Sequence, residues 1–234
     1  MLFLHEVHQV RGADADEFEA AYRDGWMPDL AREGDARLLW YFNHAHGTGR
    51  AYHAVTITGI QDGAAWERLA LRIQRGDLKE WMASVDRLRH EVAGKLLLPV
   101  PWSPLQELDL GAVPSDGRRH ELTVYMEDTG WPHAPVDDYV EFWGRVYWPM
   151  LRDQPPERRL LEIEASFQVA LGAARRREAI LLQKVHSHQG LLHLLTHDTE
   201  PQYKRPGQFM HDALAYRDQW ESKLLRTSDW SPLY

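Results

Sequence analysis

Two short patterns in this 234-residue chain could carry proton chemistry. His44-Ala-His46 sets two imidazoles two residues apart, and Glu162-Ile-Glu164 does the same with two carboxylates. In an extended strand, residues i and i+2 share a face. Two carboxylates on one partly buried face repel each other and lose solvation. That raises a carboxyl pKa and makes Glu162 or Glu164 a candidate general acid or base. Imidazole titrates near neutrality, so His44 and His46 suit a base, a proton shuttle or an orienting donor. The alternative for the carboxylates is a solvated rim, neutralised by Arg158, Arg159 or the run Arg175–Arg177.

The surrounding residues say what such a site would face. Over 160–171, Leu161, Ile163, Ala165, Phe167 and Val169 alternate as one apolar face, predicted to pack on helices. Glu162, Glu164, Ser166 and Gln168 form the opposite face, predicted to look into a cavity. At an offset of 122 residues they match Trp40, Phe42, His44 and His46. The predicted chamber therefore holds His44, His46, Glu162 and Glu164 as catalytic groups. Trp40, Phe42, Ser166 and Gln168 are its substrate contacts, with Trp40 and Phe42 as a wall for a flat apolar ligand.

The histidines also allow a metal or haem. His186-Ser-His188 is a second His-x-His pair, and His193 and His197 stand i, i+4 on a predicted helix. Neutral imidazole suits Zn, Cu, Fe or Ni, and one histidine could ligate haem. No metal or haem signature is present; the first reading is a cofactor-free site, with haem or a His-bound metal as the alternative. No dinucleotide, P-loop or nucleophile-elbow motif appears either.

An internal repeat supplies the elements that would position these groups. Trp102-Ser103-Pro104-Leu105 returns as Trp230-Ser231-Pro232-Leu233, an offset of 128. At that offset Lys95-Leu96-Leu97 meets Lys223-Leu224-Leu225, Arg89 meets Arg217, and Met82 meets Met210. Near the front of each half, Phe18, Tyr22, Trp26, Pro28 and Leu30 fall on Tyr139, Trp143, Tyr147, Pro149 and Leu151 at an offset of 121. Spacing of four marks one face of a helix, and the matched prolines should kink or end it. The paired Trp-Ser-Pro-Leu tails should anchor each unit on its neighbour. This division gives unit 1 over 1–105, a polar linker over 106–119 and unit 2 over 120–234.

Periodicity predicts strands over 2–10, 37–46, 51–60 and 95–100, and helices over 15–33, 64–74 and 78–92. The second half predicts strands over 121–127, 160–171, 177–186 and 223–227, and helices over 136–152, 190–197 and 207–221. The order is β-α-β-β-α-β twice, an α+β fold of two ferredoxin-like units. This tandem arrangement resembles the dimeric α/β-barrel superfamily, closest in outline to NIPSNAP-type proteins and to oxygenases and cyclases of aromatic polyketides. The resemblance implies an intramolecular barrel, a hydrophobic aromatic or polyketide-type substrate, and cofactor-free monooxygenation or acid/base-driven cyclisation in secondary metabolism. It also implies a haem- or metal-dependent oxidoreductase, or a non-catalytic NIPSNAP-like binding protein, as alternatives.

Composition narrows the class. Apolar residues make up 44% and charged residues 26%, the balance of a globular protein. The chain has no cysteine, which excludes disulfides and thiolate chemistry, while 13 histidines and 10 tryptophans are unusually many. A net charge of −8 argues against nucleic-acid partners. Apolar runs such as Leu191–Leu195 are too short to span a bilayer, and Met1–Val10 lacks the apolar core of a signal peptide, so a cytoplasmic protein is expected. The Trp-bearing segment Val136–Arg152 suits an interface, so a homo-oligomer is expected.

Overall fold

The computed structural model describes residues 1–175 and 177–234. Arg176, one of the expected rim arginines, lies outside the described residues. The first unit runs β1 (Leu2–Val10), α1 (Ala15–Ala21), α2 (Met27–Glu33), β2 (Ala36–His44), β3 (His53–Ile60), α3 (Gly63–Arg75), α4 (Lys79–Leu88) and β4 (Arg89–Pro99). The second runs β5 (Val124–Trp131), α5 (Val136–Phe142), α6 (Trp148–Arg152), β6 (Leu161–Leu171), β7 (Ala179–Val185), α7 (His188–Thr196), α8 (Phe209–Asp212) and β8 (Gln219–Thr227). The eight strands close into one barrel in the order β1-β3-β2-β8-β5-β7-β6-β4. Each unit contributes four neighbouring strands, and antiparallel pairs β2–β8 and β4–β6 join the units. Every neighbour being antiparallel, β1, β2, β5 and β6 run one way and the other four run back. A pseudo-two-fold axis therefore lies along the barrel.

The matched prolines neither end nor break the first helix of each unit. A π-helical turn, Tyr22–Trp26 or Trp143–Tyr147, links α1 to α2 and α5 to α6. Met27 N–H reaches Tyr22 C=O, and Trp148 N–H reaches Trp143 C=O. This wider turn sits where the proline ring would crowd the preceding turn, so the helix continues past Pro28 and Pro149. The second helices are shorter than predicted. The expected helices 78–92 and 207–221 give way at Arg89 and Gln219 to β4 and β8. Cross-strand pairing decides this, because β4 pairs with β1 from Leu97 opposite Phe3 back to Arg89 opposite Val10.

The face assignment of β6 is corrected by a bulge. Register shifts between Ile163 and Ala165, as it does between Leu38 and Trp40 in β2. Leu161 and Ile163 pack on the helices, but Ala165, Phe167 and Val169 turn into the barrel. Pairings also reset the repeat. Trp40 lies opposite Ile57 and Phe42 opposite Val55, while Ala165 lies opposite Leu182 and Phe167 opposite Ile180. The offset between β2 and β6 is thus 125, not 122. The inward sets are Trp40, Phe42, His44 and Ala165, Phe167, Val169.

The tails fix both bulges across the units. Ser231 Oγ accepts from Tyr41 N–H at 3.0 Å, and Ser103 Oγ accepts from Ser166 N–H at 2.9 Å. Trp230 Nε1 donates to Glu19 in α1, and Trp102 Nε1 donates to Val140 C=O in α5. Each tail is thereby hydrogen-bonded to the opposite unit.

Two cores lie between sheet and helices, and a third fills the barrel. Inside, Phe3 meets Phe167 at 4.8 Å and Tyr125 meets Phe42 at 5.1 Å, two contacts related by the pseudo-two-fold. Leu110 and Val113 of the linker join this core. Among the described residues no helix is long and apolar enough to cross a membrane.

Candidate functional site

The barrel's polar groups gather where β2 ends and β3 and β8 begin. A recess of about 290 Å³ is lined there by Val7, His44, Thr48, Gly49, Arg50, His53, Glu221, Ser222 and Lys223. A larger recess of about 680 Å³ adjoins it between α1 and the β2–β3 hairpin. The two share His44, Gly49, Arg50 and His53, and Asn43 and Arg226 line the larger one. The hairpin turn folds down on His44. A side chain at Gly49 would begin 2.7 Å from His44 Nδ1, so only glycine permits this approach. Gly47 takes φ 80° in the same turn.

His44 is the outstanding group. Both ring nitrogens are buried without a hydrogen-bond partner. Burial, with the charges of His53 and Lys223, lowers its pKa to about 4, so the imidazole is neutral at pH 7. The His53 ring lies 5.3 Å from it, centroid to centroid. His53 Nδ1 donates to Ala51 C=O at 3.1 Å. Lys223 Nζ stands 3.6 Å from Glu127 and 3.7 Å from Glu221. Burial opposes its charge, but these two carboxylates outweigh burial and raise its pKa.

Deeper in the barrel, His5 Nε2 meets Glu127 Oε2 at 2.8 Å with both side chains buried. Burial alone would favour a neutral Glu127. His5, Lys223 and Lys95 together hold its carboxyl far below the usual carboxylate range. His5 and Glu127 occupy equivalent strand positions, as do Lys95 and Lys223: Lys95 pairs with His5 and Lys223 pairs with Glu127. The polar layer is thus built around the pseudo-two-fold.

The predicted site residues divide among separate places. Trp40 and Phe42 face inward but are fully packed, with ring centroids 6.4 Å apart. His44 reaches the recess, and His46 lies on the exposed turn lining the larger recess. Glu162 and Glu164 sit near the start of β6, and His44 ends the parallel β2, so they lie at opposite ends of the barrel. The expected common chamber of histidines and carboxylates is not formed. Glu162 instead binds His186 at 2.6 Å and Arg159 at 3.0 Å, the neutralised-rim alternative for that residue. Burial raises the Glu164 carboxyl, with Lys184 pulling against it and Glu162 adding to it. Ser166 is buried under Ser103, and Gln168 reaches Asp137 of α5, because the bulge turns both away from the barrel.

Sequence reasoning missed His5, His53, Arg50, Glu127 and Lys223. The signal was present in the repeat, since an offset of 122 sets His5 on Glu127 and an offset of 128 sets Lys95 on Lys223. A polar pair at matched inward positions marks a layer on the axis.

The histidine pairs do not converge on a metal. Among the described residues no three His, Asp or Glu side chains are grouped to hold one. Haem fits no better. The space between sheet and helices is filled by Tyr22, Trp26 and Trp81 in unit 1 and by Phe142, Tyr147, Phe209 and Tyr216 in unit 2. The lining of the His44 recesses mixes apolar residues with the charged and polar side chains of Glu19, Arg50, Glu221, Lys223 and Arg226, and is not the continuous apolar slot that a macrocycle requires.

No family model and no curated protein sequence matches the chain. Solved structures do. A candidate monooxygenase from Lactobacillus acidophilus NCFM superposes with a TM-score of 0.56 at 12% identity, covering 99% of this chain and 97% of that one. An anthrone oxidase-like protein gives 0.57 at 11% identity over 97% and 91%. A candidate chlorite dismutase gives 0.51 at 12% identity over 98% and 96%. With the closed barrel and its two four-strand units, these full-length likenesses give the chain the fold of the dimeric α/β-barrel superfamily, both ferredoxin-like units being carried on one polypeptide.

Proposed function

We propose that the chain is a small-molecule enzyme working at the His44 mouth by proton abstraction. The observation that carries this reading is His44 itself, a neutral, half-buried imidazole with neither nitrogen satisfied, beside a 680 Å³ recess. A buried polar atom without a partner costs about 1–3 kcal/mol, which a substrate hydroxyl would remove on binding. In this reading His44 takes the proton of an acidic hydrophobic substrate, and the Lys223 ammonium stabilises the anion that forms. Substrates of aromatic or polyketide type suit the reading. Their anions react with oxygen or cyclise without a cofactor, and one similar structure is an anthrone oxidase-like protein. A role in secondary metabolism, a homo-oligomeric state and a cytoplasmic setting belong to the same proposal.

The test is turnover of a panel of anthrone- and naphthol-class phenols, followed by oxygen uptake and absorbance. General-base loss costs about 10²–10⁴ in rate. His44→Gln should lower kcat within that range and leave KM within a few-fold. Unchanged kcat in His44→Gln would remove the base from the mechanism. A second reading, a non-catalytic binding protein, draws on the barrel interior being packed with side chains. It predicts ligand retention with no turnover in the wild type.

A further inference from the structure

The pseudo-two-fold gives the barrel a second mouth, which lies where the first would fall if the units were exchanged. Equivalent positions follow from register. Ala54 pairs with His8 and Ala179 with Gly130, so His53, the residue before Ala54, corresponds to Glu178. Leu225 lies opposite His44 in the first mouth, and Leu97 lies opposite Val169 in the second, so His44 corresponds to Val169. Lys223 corresponds to Lys95.

The two mouths differ in charge balance. In the second, Lys95 Nζ binds Glu178 Oε1 at 2.5 Å, and Trp131 Nε1 donates to the other oxygen at 2.5 Å. Glu178 is fully buried, and Arg175 stacks over Trp131 at 4.5 Å from the ring centroid. In the first, His53 stands where Glu178 would be and supplies no carboxylate. Lys223 is left with two long contacts of 3.6 Å and 3.7 Å, and neither Arg50 nor Arg226 makes an ion pair among the described residues.

We propose that Glu178 is a built-in occupant of the second mouth, a carboxylate supplied by the chain in the place where the first mouth takes an external organic anion. One anion then binds per chain, and the identity of residues 53 and 178 decides which mouth receives it. This inference rests on the His44 mouth being the working site. The chemistry that recognises the ligand is an acid group facing Lys223 with an apolar body behind it.

Salicylate titrated into the full chain by calorimetry tests this, with salicylamide as its uncharged counterpart. The wild type should bind one salicylate per chain and at least tenfold less salicylamide. His53→Glu should weaken salicylate at least tenfold by adding, where Glu178 stands in the second mouth, a third carboxylate to the two already near Lys223, and Lys223→Met should do the same. Lys95→Met should leave binding unchanged. Glu178→Gln should raise the stoichiometry towards two. If the substitution at Glu178 unfolds the chain, the comparison of His53→Glu with Lys95→Met still decides the matter. Two sites in the wild type, equal affinity for salicylamide, no saturable salicylate binding, or a His53→Glu chain that binds normally would each overturn the proposal. Turnover of His44→Gln reads the base and this titration reads the mouths, so the two readings fail separately.

Discussion

At the first mouth, burial holds the His44 imidazole neutral down to about pH 4, against an ordinary value of 6.5. The sign for stability follows. The unfolded chain protonates His44 at higher pH than the folded chain does. Its contribution is therefore complete above about pH 6.5 and is lost as pH falls towards 4. The Tm of the wild type relative to that of His44→Gln should fall across that window. A difference that stays flat from pH 7 to pH 4 would mean that the ring is not buried as described. At this scale the sequence showed which residues could titrate. It did not show which of 13 histidines would be buried beside a lysine, because burial is set by strand register and by the Gly49 turn closing on the ring.

At the scale of elements, the bulges in β2 and β6 decide what faces the barrel, and the tails of the opposite unit hold them. Removing the hydroxyl of Ser231 or Ser103 leaves the N–H of Tyr41 or Ser166 buried and unpaired. Ser231→Ala and Ser103→Ala should each lower stability by about 1–3 kcal/mol in urea unfolding. Ser231→Ala should also disturb the His44 mouth, three residues beyond Tyr41. Wild-type stability in both variants would show that the serines do not clamp the bulges. The repeat made the tails conspicuous, and the anchoring by Trp102 and Trp230 was readable from it. The bulges were not readable, since an extra residue in a strand leaves an alternating pattern looking unbroken. That is why Ala165, Phe167 and Val169 were expected against the helices and lie in the barrel. The repeat also tolerates exchange between elements. Arg89 donates to His8 of β1, whereas its counterpart Arg217 donates to Tyr139 of α5, and Gly130 occupies the His8 position. The acceptor moved from strand to helix while the buried arginine stayed.

For the whole molecule, the His5–Glu127 contact joins the two units through their common interior. Deleting His5 leaves the buried Glu127 carboxylate without its closest partner, and uncovering a buried charge costs about 3–5 kcal/mol. His5→Ala should therefore destabilise the chain by about that much in urea, and the double substitution His5→Leu with Glu127→Leu should recover most of it. A loss below about 1 kcal/mol in His5→Ala would show that Lys223 and Lys95 alone satisfy Glu127. Such a pair requires two units of different sequence, because a dimer of identical units would set His against His or Glu against Glu at these equivalent positions.

The sequence by itself determined the double β-α-β-β-α-β order and the crossing tails, because periodicity and a repeat are properties of local spacing; the barrel was implied by the resemblance that the tandem order carries. Only the tertiary structure decided which side chains share a site. Closure of the barrel, two single-residue bulges and a glycine turn brought His44, His53 and Lys223 together from β2, β3 and β8. The same closure sent Glu162 and Glu164 to the far end. A register shift of one residue reverses every face beyond it, and no local pattern records that shift.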